Sequence, residues 1–200
     1  MASQTEICNR AGILLGCEAL ITNISDNSKP ARTFNALWNT VRKEELCKHY
    51  WGFSLSRTQL AALSSVPSWG FGASYQLPSD YLKMVQVNDV YASPGLVDYR
   101  QYDDSPYAIE GQTISCDYSA PLKIRYVSDI QDSGLFPPAF VGAFSARLAY
   151  LACYTITQSN QRQDACMQEY NLALAEARRS GAVEKPPQGI PDDSWLLGRI

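Results

Sequence analysis

The 200-residue chain holds a single histidine, His49, and six cysteines: Cys8, Cys17, Cys47, Cys116, Cys153 and Cys166. One histidine restricts acid–base and metal chemistry at once, because imidazole titrates near neutral pH and is the commonest metal ligand. Cys47 and His49 stand two residues apart, as a nucleophile and its base could. On a helix that spacing turns them about 200° from each other. No C-x-x-C pair occurs, so a zinc site would need unlinked partners. The cysteines lie among apolar neighbours, which favours free buried thiols in a reducing cytosol over a disulfide framework. Asp98, Asp103, Asp104, Glu110 and Asp117 supply carboxylates, and a glycoside hydrolase needs two of them facing across a cleft. Their neighbours read as turns between strands, so solvated turn carboxylates are the expectation. The alternative is a cell-wall (peptidoglycan) hydrolase acting through acidic residues such as Asp103 and Glu110. The chain has no G-x-S-x-G elbow, no H-E-x-x-H and no P-loop. Gly70-Phe71-Gly72 lacks the third glycine and the strand–turn–helix setting of a dinucleotide loop. No catalytic residue, cofactor or metal is expected.

These residues must be positioned by elements whose signals are clearer. Thr5 is the expected N-cap of a helix running to about Ala19, with Ile7, Ala11, Leu14 and Leu15 on one side. Leu14-Leu15-Gly16-Cys17 looks like a lipoprotein cleavage box, but Glu6, Asn9 and Arg10 precede it where a signal peptide needs a basic start and a longer apolar run. Pro30 suits the start of a second helix, over about 31–50, striped by Phe34, Leu37, Trp38 and Val41. Beyond Trp51-Gly52 the pattern turns to β. Strands are predicted over 53–56 and 83–90, a loop over 64–76, and a hairpin of 107–110 and 113–117 about Gly111-Gln112. The segment 122–127 alternates cleanly as a strand. Pro137-Pro138 opens a helix to about Thr157, carrying Phe140, Phe144, Leu148 and Leu151 at three- and four-residue steps. A last helix is expected to end at Ser180, with Cys166, Tyr170, Ala173, Leu174 and Ala177 inward and Gly181 as its terminator. The fold class is α+β: a helical bundle from the N- and C-terminal blocks (4–50 and 138–181), a β-rich insertion (52–130) and an extended C-terminal tail. The body covers 1–182 and the tail 183–200.

Composition narrows the partners. An apolar fraction of 46% supports a core, whereas 18% charged residues is low for a free monomer, which suggests surface reserved for protein contacts. The net charge is −3, and no Lys/Arg cluster exceeds the pairs Arg42-Lys43 and Arg178-Arg179. That argues against sequence-specific nucleic-acid recognition, which needs a concentrated basic face. No segment is read as approaching the apolar length of a membrane span. In the tail, Pro186-Pro187, Gly189 and Pro191 block helix and sheet. Asp192-Asp193, then Trp195-Leu196-Leu197 and Ile200, follow them. Such an apolar cluster either folds back on its own body or enters a partner's groove, where Trp is a preferred anchor. Composition leaves both open.

A resemblance adds to this reading. Leu15-x-x-x-x-Leu20 is followed by Ala36-Leu37-Trp38-Asn39-x-Val41-Arg42, Trp51-Gly52-Phe53 and Leu77-Pro78-x-Asp80-Tyr81-Leu82-Lys83. Then come Leu135-x-Pro137-x-x-Phe140, Ala146-x-Leu148-Ala149 and Glu176-Ala177-Arg178. In this ordered succession, over nearly its whole length, the chain resembles the tail tubular protein A family, the head–tail adaptors (gatekeepers) of short-tailed bacteriophages. The resemblance implies a non-catalytic structural protein of the virion tail or neck, present in the host cytoplasm during assembly. It implies a ring of about twelve subunits between the portal protein and the tail nozzle protein, continuing the channel through which DNA passes. Trp195, Leu196, Leu197 and Ile200 would then bind the portal, and the β-rich insertion would face the nozzle. A host-directed regulatory binder is a third reading, expected to be monomeric and absent from virions.

Overall fold

A computed structural model of the chain describes residues 2–88, 90–91 and 106–184. Its first helix, α1 (Gln4–Leu15), is capped two residues earlier than predicted. Ser3 Oγ accepts from Glu6 N–H at 3.2 Å, and Glu6 Oε2 accepts from Ser3 N–H at 2.7 Å. This reciprocal box needs Glu or Gln three residues on, and Cys8 stands there for Thr5, so Ser3 is the cap and Thr5 lies inside the helix. The helix stops at Leu15 rather than near Ala19, because Gly16 takes the left-handed conformation (φ 75°) that closes a helix.

Helix α2 (Lys29–Lys48) is capped by Ser28, carries Pro30 in its first turn, and buries Phe34, Trp38 and Val41. It ends two residues before the predicted 50, since His49 is already extended. Helix α3 (Pro138–Thr157) packs against α1 and α2 and lies along α4 (Asn160–Val183). Phe140, Phe144, Leu148, Ala143, Ala149 and Ala152 are buried along it, as the three- and four-residue steps require. Contrary to the sequence reading, α3 is long and apolar enough by length and composition to cross a membrane. Its apolarity is that of a central core helix: most of it is buried by its neighbours. Helix α4 runs through Gly181 to Val183 instead of stopping at Ser180, so Val183 belongs to the helix and not to a tail.

The chain between α2 and α3 forms two small antiparallel sheets. Strand β1 (Leu55–Leu60) follows a 3₁₀ turn, Gly52–Ser54, and so begins two residues later than predicted. Then come β2 (Ala73–Gln76), β3 (Tyr81–Val87), β4 (Val90–Tyr91), β5 (Tyr107–Glu110), β6 (Thr113–Cys116) and β7 (Leu122–Ser128). One sheet has the order β1-β7-β3-β4 and the other β2-β6-β5. Strand β2 lies in the predicted loop 64–76, and β3 ends at Val87, where Asn88 turns with φ 48°. The hairpin β5–β6 is as predicted: Glu110 pairs with Thr113 around Gly111 at φ 61°, the place for glycine in a type II′ turn.

Two cores result. The helical core joins Ile7, Phe34, Trp38, Phe140, Phe144 and Leu148, and reaches Val85 and Val127 on the sheet. The second joins Leu60, Tyr75, Met84, Ile114, Leu122 and Tyr126 between the sheets. A narrow join links the helices and the sheets. Leu55 and Val127 pack against the helical core, Ser128 Oγ donates to Ser54 O at 3.0 Å, and Arg42 bonds the Asp129 carboxylate and Ile130 O. The class is α+β, a helical block built from both ends of the chain with a β-rich insertion between them.

Candidate functional site

The residues assigned to the portal, Trp195, Leu196, Leu197 and Ile200, lie outside the described residues, as do Asp98, Asp103 and Asp104. Of the remaining carboxylates, Glu110 is exposed at the end of β5. Asp117 is exposed and accepts from Gly72 N–H at 2.7 Å, which makes it a turn-fixing group. Among the described residues no group of three or more His, Cys, Asp or Glu side chains could hold a metal ion.

Cys47 and His49 do not share one helix. Cys47 is in the last turn of α2, but His49 is past its end with φ −143° and ψ 156°. Its ring meets Trp51 edge-on at 5.1 Å. Burial pushes the Cys47 thiol up, partly offset by the nearby Lys83 ammonium. A thiol that resists ionising is a poor nucleophile. All six cysteines are free; Cys8, Cys116, Cys153 and Cys166 are buried and Cys17 and Cys47 half-buried. Burial raises Cys8 to about 12 and Cys166 to about 11.

The densest polar cluster holds helices together. Glu45, 1% exposed on α2, accepts from Tyr170 Oη at 3.1 Å to each carboxylate oxygen. Lys48 also bonds it, and Arg147 Nε on α3 lies 3.5 Å away. Arg147 further stacks over the Tyr150 and Tyr170 rings at 5.4 and 5.3 Å. Three helices are thus tied at one buried carboxylate, whose charge is compensated as burial requires. Sequence reading missed this cluster, although Glu45 falls four residues after Val41 on the inward stripe of α2.

Exposed apolar side chains occur on several elements, Ile13, Leu20, Ile109 and Leu135 among them, and those of α4 and of the β1–β2 connection include the most exposed. Helix α4 buries only Cys166, Tyr170 and Ala177 of its 24 residues and leaves Met167, Leu172 and Val183 in the open, Leu172 at 74%. In the β-rich insertion, the connection between β1 and β2 exposes Val66 and Trp69, the latter at 87%. Large apolar groups placed like this favour contacts with other proteins.

The chain matches no family model and no curated protein.

Tyr154, at the end of α3, is also exposed, and its ring adds an amphipathic contact group near the α3–α4 connection. One subunit thus exposes apolar side chains on both its helical block and its β-rich insertion.

Proposed function

We propose that this protein is a non-catalytic structural adaptor of a short-tailed bacteriophage virion. Its subunits form a ring between the portal and the tail nozzle that continues the DNA channel. The observation that carries this reading is the exposure of apolar side chains in two unlike places, Leu172 and Val183 on α4 and Val66 and Trp69 on the β1–β2 connection. A ring of identical subunits needs two different faces on each copy, one meeting the other on the next copy. The ordered motifs that resemble the adaptor family support the same reading. In it, Trp195, Leu196, Leu197 and Ile200 anchor the tail on the portal protein, and the insertion faces the nozzle.

Electron microscopy of the purified protein, alone and with a portal candidate, tests this directly. Rings of the portal's symmetry in the mixture are expected. A protein that stays monomeric in the presence of assembled portals refutes the adaptor reading.

A further inference from the structure

The four-stranded sheet turns Leu55 and Val127 towards the helical core, and further along that same side it carries a groove of about 380 Å³ whose chemistry differs from the rest of this acidic chain. Arg57 and Gln59 of β1 lie beside Arg125 and Lys123 of β7, with Gln86 of β3 and Asn88 completing the lining. Arg57 and Arg125 are direct cross-strand partners, as are Gln59 and Lys123. The strand period of two puts Lys123 and Arg125 on the same face, about 7 Å apart. Among the described residues no carboxylate lines the groove, and Arg57, Lys123 and Arg125 form no ion pair. The rim is fixed: Asn88 Oδ1 accepts from Lys123 N–H at 3.1 Å, Asn88 N–H donates to Lys123 O at 2.7 Å, and Gln86 Nε2 donates to Asn88 O at 2.9 Å.

Like charges placed directly opposite each other destabilise a sheet, so the Arg57–Arg125 pair is a cost that folding alone does not explain. A bound polyanion removes it. Arg, Lys, Gln and Asn are the side chains that contact nucleic-acid phosphates. An acidic protein partner, by contrast, would want apolar or aromatic anchors. Among the described residues no aromatic side chain lines the groove, and Ile124, the aliphatic residue among them, is buried in the core between the sheets. We infer that this groove is a sequence-independent contact surface for the phosphodiester backbone of a nucleic acid. The lack of stacking rings directs the contact to phosphates and not to bases. The inference stands on the isolated subunit and does not depend on ring assembly.

The test is fluorescence anisotropy of a labelled, mixed-sequence DNA duplex with the full-length protein at about 50 mM salt and above. Binding should weaken with salt at a log–log slope near about −2.7, the value for three phosphate contacts. The variant carrying Arg57→Gln, Lys123→Gln and Arg125→Gln should bind at least about ten-fold more weakly. A control with Lys29→Gln, Arg178→Gln and Arg179→Gln has the same net charge and should bind like the parent. Should the triple variant lose its circular dichroism signature, Arg57→Gln alone replaces it, with about a three-fold loss expected. No binding by the parent at low salt, binding insensitive to salt, or equal losses in groove and control variants would each overturn the inference. Displacement of the duplex by poly-glutamate at equal charge concentration would also overturn it, in favour of an acidic protein partner.

Discussion

Glu45 is held by groups from α2, α3 and α4, and removing its carboxylate leaves Lys48 and Arg147 facing each other across the gap. Breaking a buried ion pair typically costs about 3–5 kcal/mol; Lys48 can swing to water here, so about 2–3 kcal/mol is expected for Glu45→Ala. Chemical denaturation measures it, and adding Arg147→Met should recover part of the loss. Tyr126 sets a second expectation. Burial, reinforced by its hydrogen bonds to the Asp80 carboxylate, pushes its phenol up to about 12. Burial also raises Tyr170. The folded phenol therefore holds its proton above the ordinary value of about 10, so this stability is complete below that value. It drains away as pH climbs towards about 12. Lys48 acts in the same direction: burial lowers it, but Glu45 and Tyr170 outweigh that and raise it overall. Urea midpoints should hold up to about pH 10 and fall between about pH 10 and pH 12, and Tyr126→Phe should flatten that slope. A parent protein with no alkaline loss would contradict the assignment.

The elements were legible in proportion to how local their causes are. Ser3 and Glu6 are three residues apart, and Ser3→Ala should cost about 1 kcal/mol in thermal or urea unfolding. Thr5 has Cys8 and not Glu or Gln three residues on, so the spacing itself favours Ser3 as the cap. The apolar steps of α3 and the alternation of β7 predicted both elements nearly to the residue, because burial on one face or stripe imposes those periods. Strand β2 was hidden because its cause is distant: Tyr75 is buried among residues of other strands, paired to β6 and bonded to Tyr118 O at 2.6 Å. The continuation of α4 through Gly181 was hidden for another reason. Glycine only tends to end helices, and its left-handed conformation is not used there, whereas at Gly16 it is. The cationic groove was within reach of the sequence as well. Lys123 and Arg125 alternate with Leu122, Ile124 and Tyr126, but Arg57 joins them only through the β1–β7 register, which no local pattern gives.

At the scale of the molecule, the two cores divide the work. The helical block carries both the α4 face and the start of the C-terminal segment, and the β-rich insertion carries Trp69 and the cationic groove. Deleting residues 185–200 spares α4 to its last turn. The truncated protein should keep its helical circular dichroism yet fail to pull down the portal; undiminished capture would sink the docking role of Trp195, Leu196, Leu197 and Ile200. The topology also says what a cut in the connection around Trp69 would leave behind. One piece would hold α1, α2 and β1, the other every remaining element. Because α1 and α2 pack on α3 while β1 pairs with β7, each piece supplies partners that the other lacks. The protein is in this sense already divisible into two complementary halves, and a severed chain would remain one object.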